Sequence, residues 1–424
     1  MIKKLFCFTF LFVFCSSFAL AKVKTVEEQR VEWNEWLDDL KEEMIEKGIS
    51  KKTINKAYKS DYFHEIKEVV LQDKKQAEFV LTSDVYLNRL VNKDRVKKAR
   101  EHYKNLLPKY AVVSEKYGVP LNYLIAFWAV ETHFGYNKGK YHLIDGLTNL
   151  SYKNRRADFF KRELYNVLKI MDTYNLEGDK MMGSWAGAMG HFQFMPSTYN
   201  AYAVDYDGDG VADIWDSFDD AIASAANYLS DLGWKKDEPW GQEILLPWNF
   251  DYKLSGPKKY KTVKEWKKIG ILAYDGKKLN LPEDASATVI LPDGRHGRAY
   301  ITLSNFRRIM IWNRSTNYAL AIVKLADYIA SDKSFTPLKE KTYYKITDED
   351  VIEIQKFANR ILKSKLKVDG KLGSKTAVAV RKLQKKWKLP QDGIPDYRLI
   401  RKVRHFKSWA DFRVPPQPRK PKRS

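Results

Sequence analysis

The chain has 424 residues, 75 Lys plus Arg against 53 Asp plus Glu, and a formal net charge of +22. That length exceeds one small core and predicts two or three domains, while the charge favours polyanionic surroundings; a lysine-rich proteome would explain the same excess. The two cysteines, Cys7 and Cys15, both fall in the first fifteen residues, which excludes a disulfide, a thiolate metal site or a cysteine nucleophile downstream.

Lys3 and Lys4 precede an apolar run from Leu5 to Phe14, and Ala19-Leu20-Ala21 follows. These are the parts of a secretory leader, residues 1–21, cleaved after Ala21. The run is shorter than the roughly 20 residues that cross a bilayer. Cys15 raises lipid attachment as an alternative, but bulky Phe14 stands where a lipoprotein site needs a small residue. The expectation is a soluble, exported, periplasmic protein. In that compartment cell-wall polymers and anionic membrane surfaces suit a basic protein better than nucleic acid, and no nucleic-acid motif is present.

Trp33, Trp36, Leu37, Leu40 and Met44 recur at helical spacing within 27–44, and Ser50 reads as the N-cap of a second helix. Further helices are predicted over 94–117, 121–133, 155–174 and 219–232. Residues 287–291 and 298–303 read as strands joined at "PDGRHG", and 308–312 as a third short strand. "NRSTNYALAIVKLADYIA" is a helix with a Ser/Thr start. A polar segment at 331–344 reads as a linker. It leads to a unit with helices at 349–362 and 376–387 and a last short one, in which Val380, Leu383 and Trp387 share a face. The final stretch, "VPPQPRKPKRS", is basic, Pro-rich and expected to be disordered. No internal repeat is evident. The expectation is a mainly α catalytic body with a helical N-terminal part and a small β insert, then a separate three-helix domain.

Two stretches carry the chemistry. "LNYLIAFWAVETHFG" is apolar nearly all round, so it is expected to be buried, and Glu131 stands at its end. Burial disfavours the charged carboxylate and keeps a general acid protonated near neutral pH; the alternative is an ordinary helix-end Glu in water. "GSWAGAMGHFQFMPSTY", residues 183–199, mixes glycines, aromatics and few polar tips, as a loop does that brings backbone and ring faces close to a ligand. With 12 Trp and 25 Tyr, rings are plentiful enough to serve as stacking platforms for sugars.

A third stretch, "DYDGDGVADIWDSFDD", places Asp205, Asp207 and Asp209 at positions 1, 3 and 5 of an EF-hand pattern, with Gly210 at the sharp turn. Val211 would give a backbone carbonyl, and Asp216 takes the last position. Hard oxygen ligands at this spacing suit Ca²⁺ in a structural role. The alternative is a solvated acidic turn.

"AVETHFG", the glycine-aromatic stretch some fifty residues on, "AIASAANYLSDLGW" and "NFRRIMIWNRSTNYALAIVKLADYI" together resemble the membrane-bound lytic transglycosylase B family of lysozyme-like enzymes, over about residues 28–332. The resemblance implies cleavage of the β-1,4 bond between N-acetylmuramic acid and N-acetylglucosamine in peptidoglycan, with Glu131 as the acid and then the base. The muramic C6 hydroxyl closes on C1 and gives a 1,6-anhydro product. It implies that Ser184, Gln193 and Asn313 hold the sugar and that Tyr228, Trp312 and Tyr318 line the cleft. Trp312 stands where the family would have Tyr, so any bond from that hydroxyl is in question. His191 occupies an aromatic position and receives no catalytic role. The family's longer metal loop shifts the last ligand to Asp219 or Asp220. "VDGKLGSKT", with Asp369, Gly370, Gly373 and Thr376, then Gln384 and Asp392-Gly393, resembles the small peptidoglycan-binding domain, here 345–404, with 405–424 as a tail. A hydrolytic muramidase and a non-catalytic wall-binding protein are the alternatives.

Overall fold

The computed structural model describes residues 25–59, 81–247, 250–338 and 346–406. The leader and the tail beyond 406 lie outside them. The N-terminal helical part begins with α1 (Val26–Glu46), entered through a capping box of Thr25 and Glu28, and α2 (Lys51–Ala57), capped by Ser50 as its sequence predicts. Helices α3 (Ser83–Leu90) and α4 (Lys93–Tyr117) follow. The short α3 has no periodic signal of its own and was not predicted.

The centre of the body is α5 (Leu121–Thr132). Leu124, Ile125, Ala126, Phe127 and Ala129 are fully buried, because α4 covers one side and the later helix α12 another. A helix apolar on every side is stable only with such company. Strand β1 (Tyr141–His142), α6 (Leu143–Ser151), α7 (Ala157–Tyr174) and β2 (Met182–Gly183) come next, and β1 and β2 pair antiparallel. The glycine-aromatic loop then runs into α8 (Pro196–Tyr202), and the acidic loop into α9 (Phe218–Asp231).

The β insert is larger than a hairpin. Strands β3 (Gly241–Leu245), β4 (Tyr260–Thr262), β5 (Leu272–Ala273), β6 (Ser286–Ile290) and β7 (Ala299–Thr302) form one antiparallel sheet in the order β4-β6-β7-β3-β5. The predicted pair is its centre, with Val289 opposite Ile301. The sheet has its own core of Ile244, Phe250, Val263, Trp266, Val289 and Ile301, covered by α10 (Val263–Lys268). The strands missed by sequence are two to five residues long, too short for a period-2 pattern to show. Arg298 ties the sheet to the body: it is 6 % exposed and bonds Asp84 of α3 and Glu243 of β3, each at 2.7 Å.

The expected strand at 308–312 is instead the end of helix α11 (Ser304–Trp312). Its β-branched and aromatic residues suit a strand locally. Tertiary packing decides for the helix, because Phe306 and Ile309, three apart, enter the main core together. Helix α12 (Thr316–Ile329) is capped by Ser315. The polar segment after it is not a free linker at its start. Arg100 donates to the carbonyls of Tyr328, Ser331 and Lys333, and Asn88 pairs with the backbone of Leu338.

The C-terminal unit packs α13 (Asp348–Leu362), α14 (Ser374–Lys386) and α15 (Tyr397–Arg404) around Ile354, Phe357, Val380, Leu383 and Leu399. Its two Asp-Gly turns are held alike. Gln355 accepts from the N–H groups of Asp369 and Gly370, and Gln384 from that of Gly393.

Candidate active site

Glu131 lies in the last turn of α5, half-buried where the helix reaches the surface. Its Oε1 accepts the indole N–H of Trp312 at 3.0 Å and the hydroxyl of Tyr318. Trp312 ends α11 and Tyr318 lies in the first turn of α12, so the short connection between these helices delivers both donors to one oxygen. Where the resemblance led to the expectation of a tyrosine hydroxyl at 312, the indole N–H of Trp312 donates. Both residues were expected along the sugar wall; Tyr318 is only 3 % exposed and serves the carboxyl group.

Around Trp312 the rings are continuous. Its centroid lies 4.5 Å from Phe127, 5.1 Å from Tyr228 and 5.4 Å from Phe194, and Tyr228 stacks on Tyr202 at 4.6 Å. Tyr202 is the aromatic that sequence reasoning missed. It ends a short helix and carries no motif of its own.

The loop from Gly183 folds into two tight reversals, with bridges from Met189 to Gly183 and to Phe194. Met189 and Phe192 are buried as packing residues. The Oγ of Ser184 accepts from the N–H of Ala188 at 2.9 Å, which leaves its own proton to donate. Gln193, at φ 51°, sends its amide N–H to the carbonyls of Lys138 and Gly190, both at 3.1 Å. Gln193 thereby joins this loop to the turn that follows α5. At Gly139 a Cβ would lie 2.0 Å from the carbonyl carbon of Gly183, so a side chain there would push the two loops apart. Asn313, between α11 and α12, accepts from the N–H of Ser315 at 3.1 Å.

The acidic loop gathers Asp205, Asp207 and Asp209, whose carboxylate oxygens lie within 4.8 Å of one another. The other four expected ligands have partners in or beside the loop. The carbonyl of Val211 accepts from the N–H of Asp213. Asp216 pairs with Lys138 at 3.4 Å and Asp219 with Lys109 at 2.7 Å. Asp220 turns inward and accepts from the N–H groups of Tyr206 and Asp213. Successive residues in the first turn of α9 face different directions, which separates Asp219 from Asp220. Three clustered carboxylates with no cation repel one another, so the trio fits a hard divalent ion.

A half-buried carboxylic acid at the end of a buried helix, in a helical body with a small sheet, suits a lysozyme-like, glycan-cleaving enzyme, and the comparisons with known proteins give that class. The family profile described as "Transglycosylase SLT domain" matches residues 32–327, and that described as "Putative peptidoglycan binding domain" matches 347–403. The chain belongs to the SLT transglycosylase family and carries a peptidoglycan-binding domain at its C-terminal side.

Membrane-bound lytic murein transglycosylase B of Escherichia coli is 36% identical over 223 residues; the match spans 50% of this chain and 58% of that protein. SltB3 of Pseudomonas aeruginosa, solved in complex with NAG-anhNAM-pentapeptide, is 34% identical with a TM-score of 0.79, covering 88% of this chain and 99% of that one. Escherichia coli Slt35, solved in complex with calcium, is 27% identical with a TM-score of 0.60, covering 69% and 92%.

Proposed function

We propose that this protein cleaves the β-1,4 bond between N-acetylmuramic acid and N-acetylglucosamine in peptidoglycan and leaves a 1,6-anhydromuramic end. The observation that carries the reading is Glu131, held through one oxygen by two donors at the open end of the central helix. Glu131 gives its proton to the glycosidic oxygen as the C1–O bond breaks. The muramic C6 hydroxyl oxygen then bonds to C1, and its proton passes to the Glu131 carboxylate. No water is consumed and the acid is regenerated. The product class is that of the fragment bound to the Pseudomonas relative.

Ser184, Gln193 and Asn313 are the polar groups proposed to hold the sugars, and Tyr228 and Trp312 the faces they meet. Ca²⁺ would be held by the carboxylates of Asp205, Asp207 and Asp209. Its contribution would be structural: it would neutralise the loop that packs α9 beside the site. The catalytic region is assigned to 28–332 and the wall-binding domain to 345–404, the latter keeping the enzyme at high local concentration on an insoluble polymer. We place the protein in the periplasm, exported by residues 1–21; among the described residues no helix is long and apolar enough to cross a membrane.

The test is mass spectrometry of muropeptides released from purified peptidoglycan. Products about 18 Da lighter than the hydrolytic ones carry the anhydro ring that this chemistry requires. Reducing-end products would instead mean that water is the nucleophile. No products would favour a wall-binding role without catalysis.

A further inference from the structure

Behind Glu131 lies an arrangement that the reaction as drawn does not use. The ring of His191, in the glycine-aromatic loop, accepts the indole N–H of Trp128 through Nδ1 at 3.0 Å. Its backbone carbonyl accepts the hydroxyl of Thr132 at 2.8 Å, and its backbone N–H reaches the carbonyl of Ile214 at 3.0 Å. Trp128 is 7 % exposed and Thr132 fully buried. These two residues stand one turn before Glu131 and directly after it. The loop thus grips the last turn of the catalytic helix on both sides of the acid.

The backbone is shaped to admit the ring. His133, Phe134 and Gly135 are all left-handed, with φ of 52°, 63° and 80°. That conformation is strained for the two residues bearing side chains. At Gly135 a Cβ would lie 2.6 Å from Cε1 of His191. Phe218 closes the other side of the imidazole at 5.3 Å, edge to face. A phenyl ring in the same place would fill that space but would offer the indole no acceptor.

We infer that His191 is a positioning residue for the proposed reaction, fixing the last turn of the central helix, and with it the Glu131 carboxyl, through the Trp128 and Thr132 bonds. The role rests on the transglycosylase reading above. The acceptor at Nδ1 requires a neutral imidazole with its proton on Nε2. His191→Phe keeps a ring but removes the acceptor and strands a buried indole N–H. His191→Asn places an amide oxygen near the position of Nδ1. His191→Gln carries its amide too far out.

The experiment uses the full chain with ¹⁵N-labelled tryptophan. The indole resonances of Trp128 and Trp312 are assigned from Trp128→Phe and Trp312→Phe. Trp312 donates to Glu131 and therefore reports on the acid without any turnover. His191→Phe is expected to shift both resonances and to lower kcat on peptidoglycan about tenfold with KM little changed, as a displaced reacting group should. His191→Asn is expected to restore the Trp312 resonance and most of kcat. If His191→Phe does not fold, His191→Gln replaces it, with the same shift expected. A Trp312 resonance that stays in place while that of Trp128 moves would overturn the inference, as would equal kcat losses in Asn and Phe variants. A wild-type protein with no turnover would refute the enzymatic reading, and the Trp312 resonance would still decide the positioning.

Discussion

Trp312→Phe isolates one donor to Glu131, the proposed catalytic acid. The change keeps an aromatic ring among Phe127, Phe194 and Tyr228 and deletes the N–H that meets Oε1 of Glu131 at 3.0 Å. A hydrogen bond to a charged group contributes about 1.5–3 kcal/mol. The site is half-open to water and Tyr318 still donates to the same oxygen, so the lower end applies. A loss of about 1.5 kcal/mol on the carboxylate formed during bond cleavage lowers kcat about tenfold. The smaller ring costs about 1 kcal/mol of stability besides. Muropeptide release under saturating peptidoglycan measures kcat, and differential scanning fluorimetry reads the stability. Tyr318→Phe should act similarly, and the double variant should lose more than the product of the single losses, because each single variant leaves one donor on a shared oxygen. A folded Trp312→Phe protein with kcat within about twofold of wild type would refute the idea that this donor supports the acid.

Glu131→Gln should lower turnover by about 10²–10⁴-fold or more while melting temperature and sedimentation with peptidoglycan stay unchanged. Chelation should lower the melting temperature more than the intrinsic rate, by the equivalent of about 2–3 kcal/mol if calcium is present well above its dissociation constant, and Asp207→Asn should weaken the response; an equal melting temperature with and without calcium would count against the site. Arg298→Met removes the guanidinium that bonds Asp84 and Glu243, leaving Lys324 at 3.5 Å from Glu243, and should cost about 3 kcal/mol in chemical denaturation. Burial and nearby Lys138 hold the His191 imidazole below its ordinary range, down to about 4, against the opposite pull of Asp216 and Asp213. Its stabilising contribution is therefore present above pH 6.5 and lost as the pH falls toward 4. After discounting for partial exposure, wild type should lose about 2 kcal/mol relative to His191→Asn across that range in pH-dependent denaturation.

The sequence determined the central helix, because a stretch apolar on every side can only be buried, and it put Glu131 at the end of that helix. It also determined the acidic loop and the three-helix terminal unit, whose caps and turns are local. The tertiary structure decided what short pieces could not announce. Residues 308–312 became helix once Phe306 and Ile309 shared a core, and two- to five-residue strands were stabilised only by their neighbours in the sheet. It also decided who touches the acid. Trp312 and Tyr318 lie more than 180 residues from Glu131 along the chain, and no local pattern encodes a contact across that separation. Asp219 and Asp220 stand side by side in sequence, yet one meets Lys109 at the surface and the other turns inward. Spacing along a chain fixes which face of a helix a side chain occupies, and only the surrounding fold fixes what that face meets.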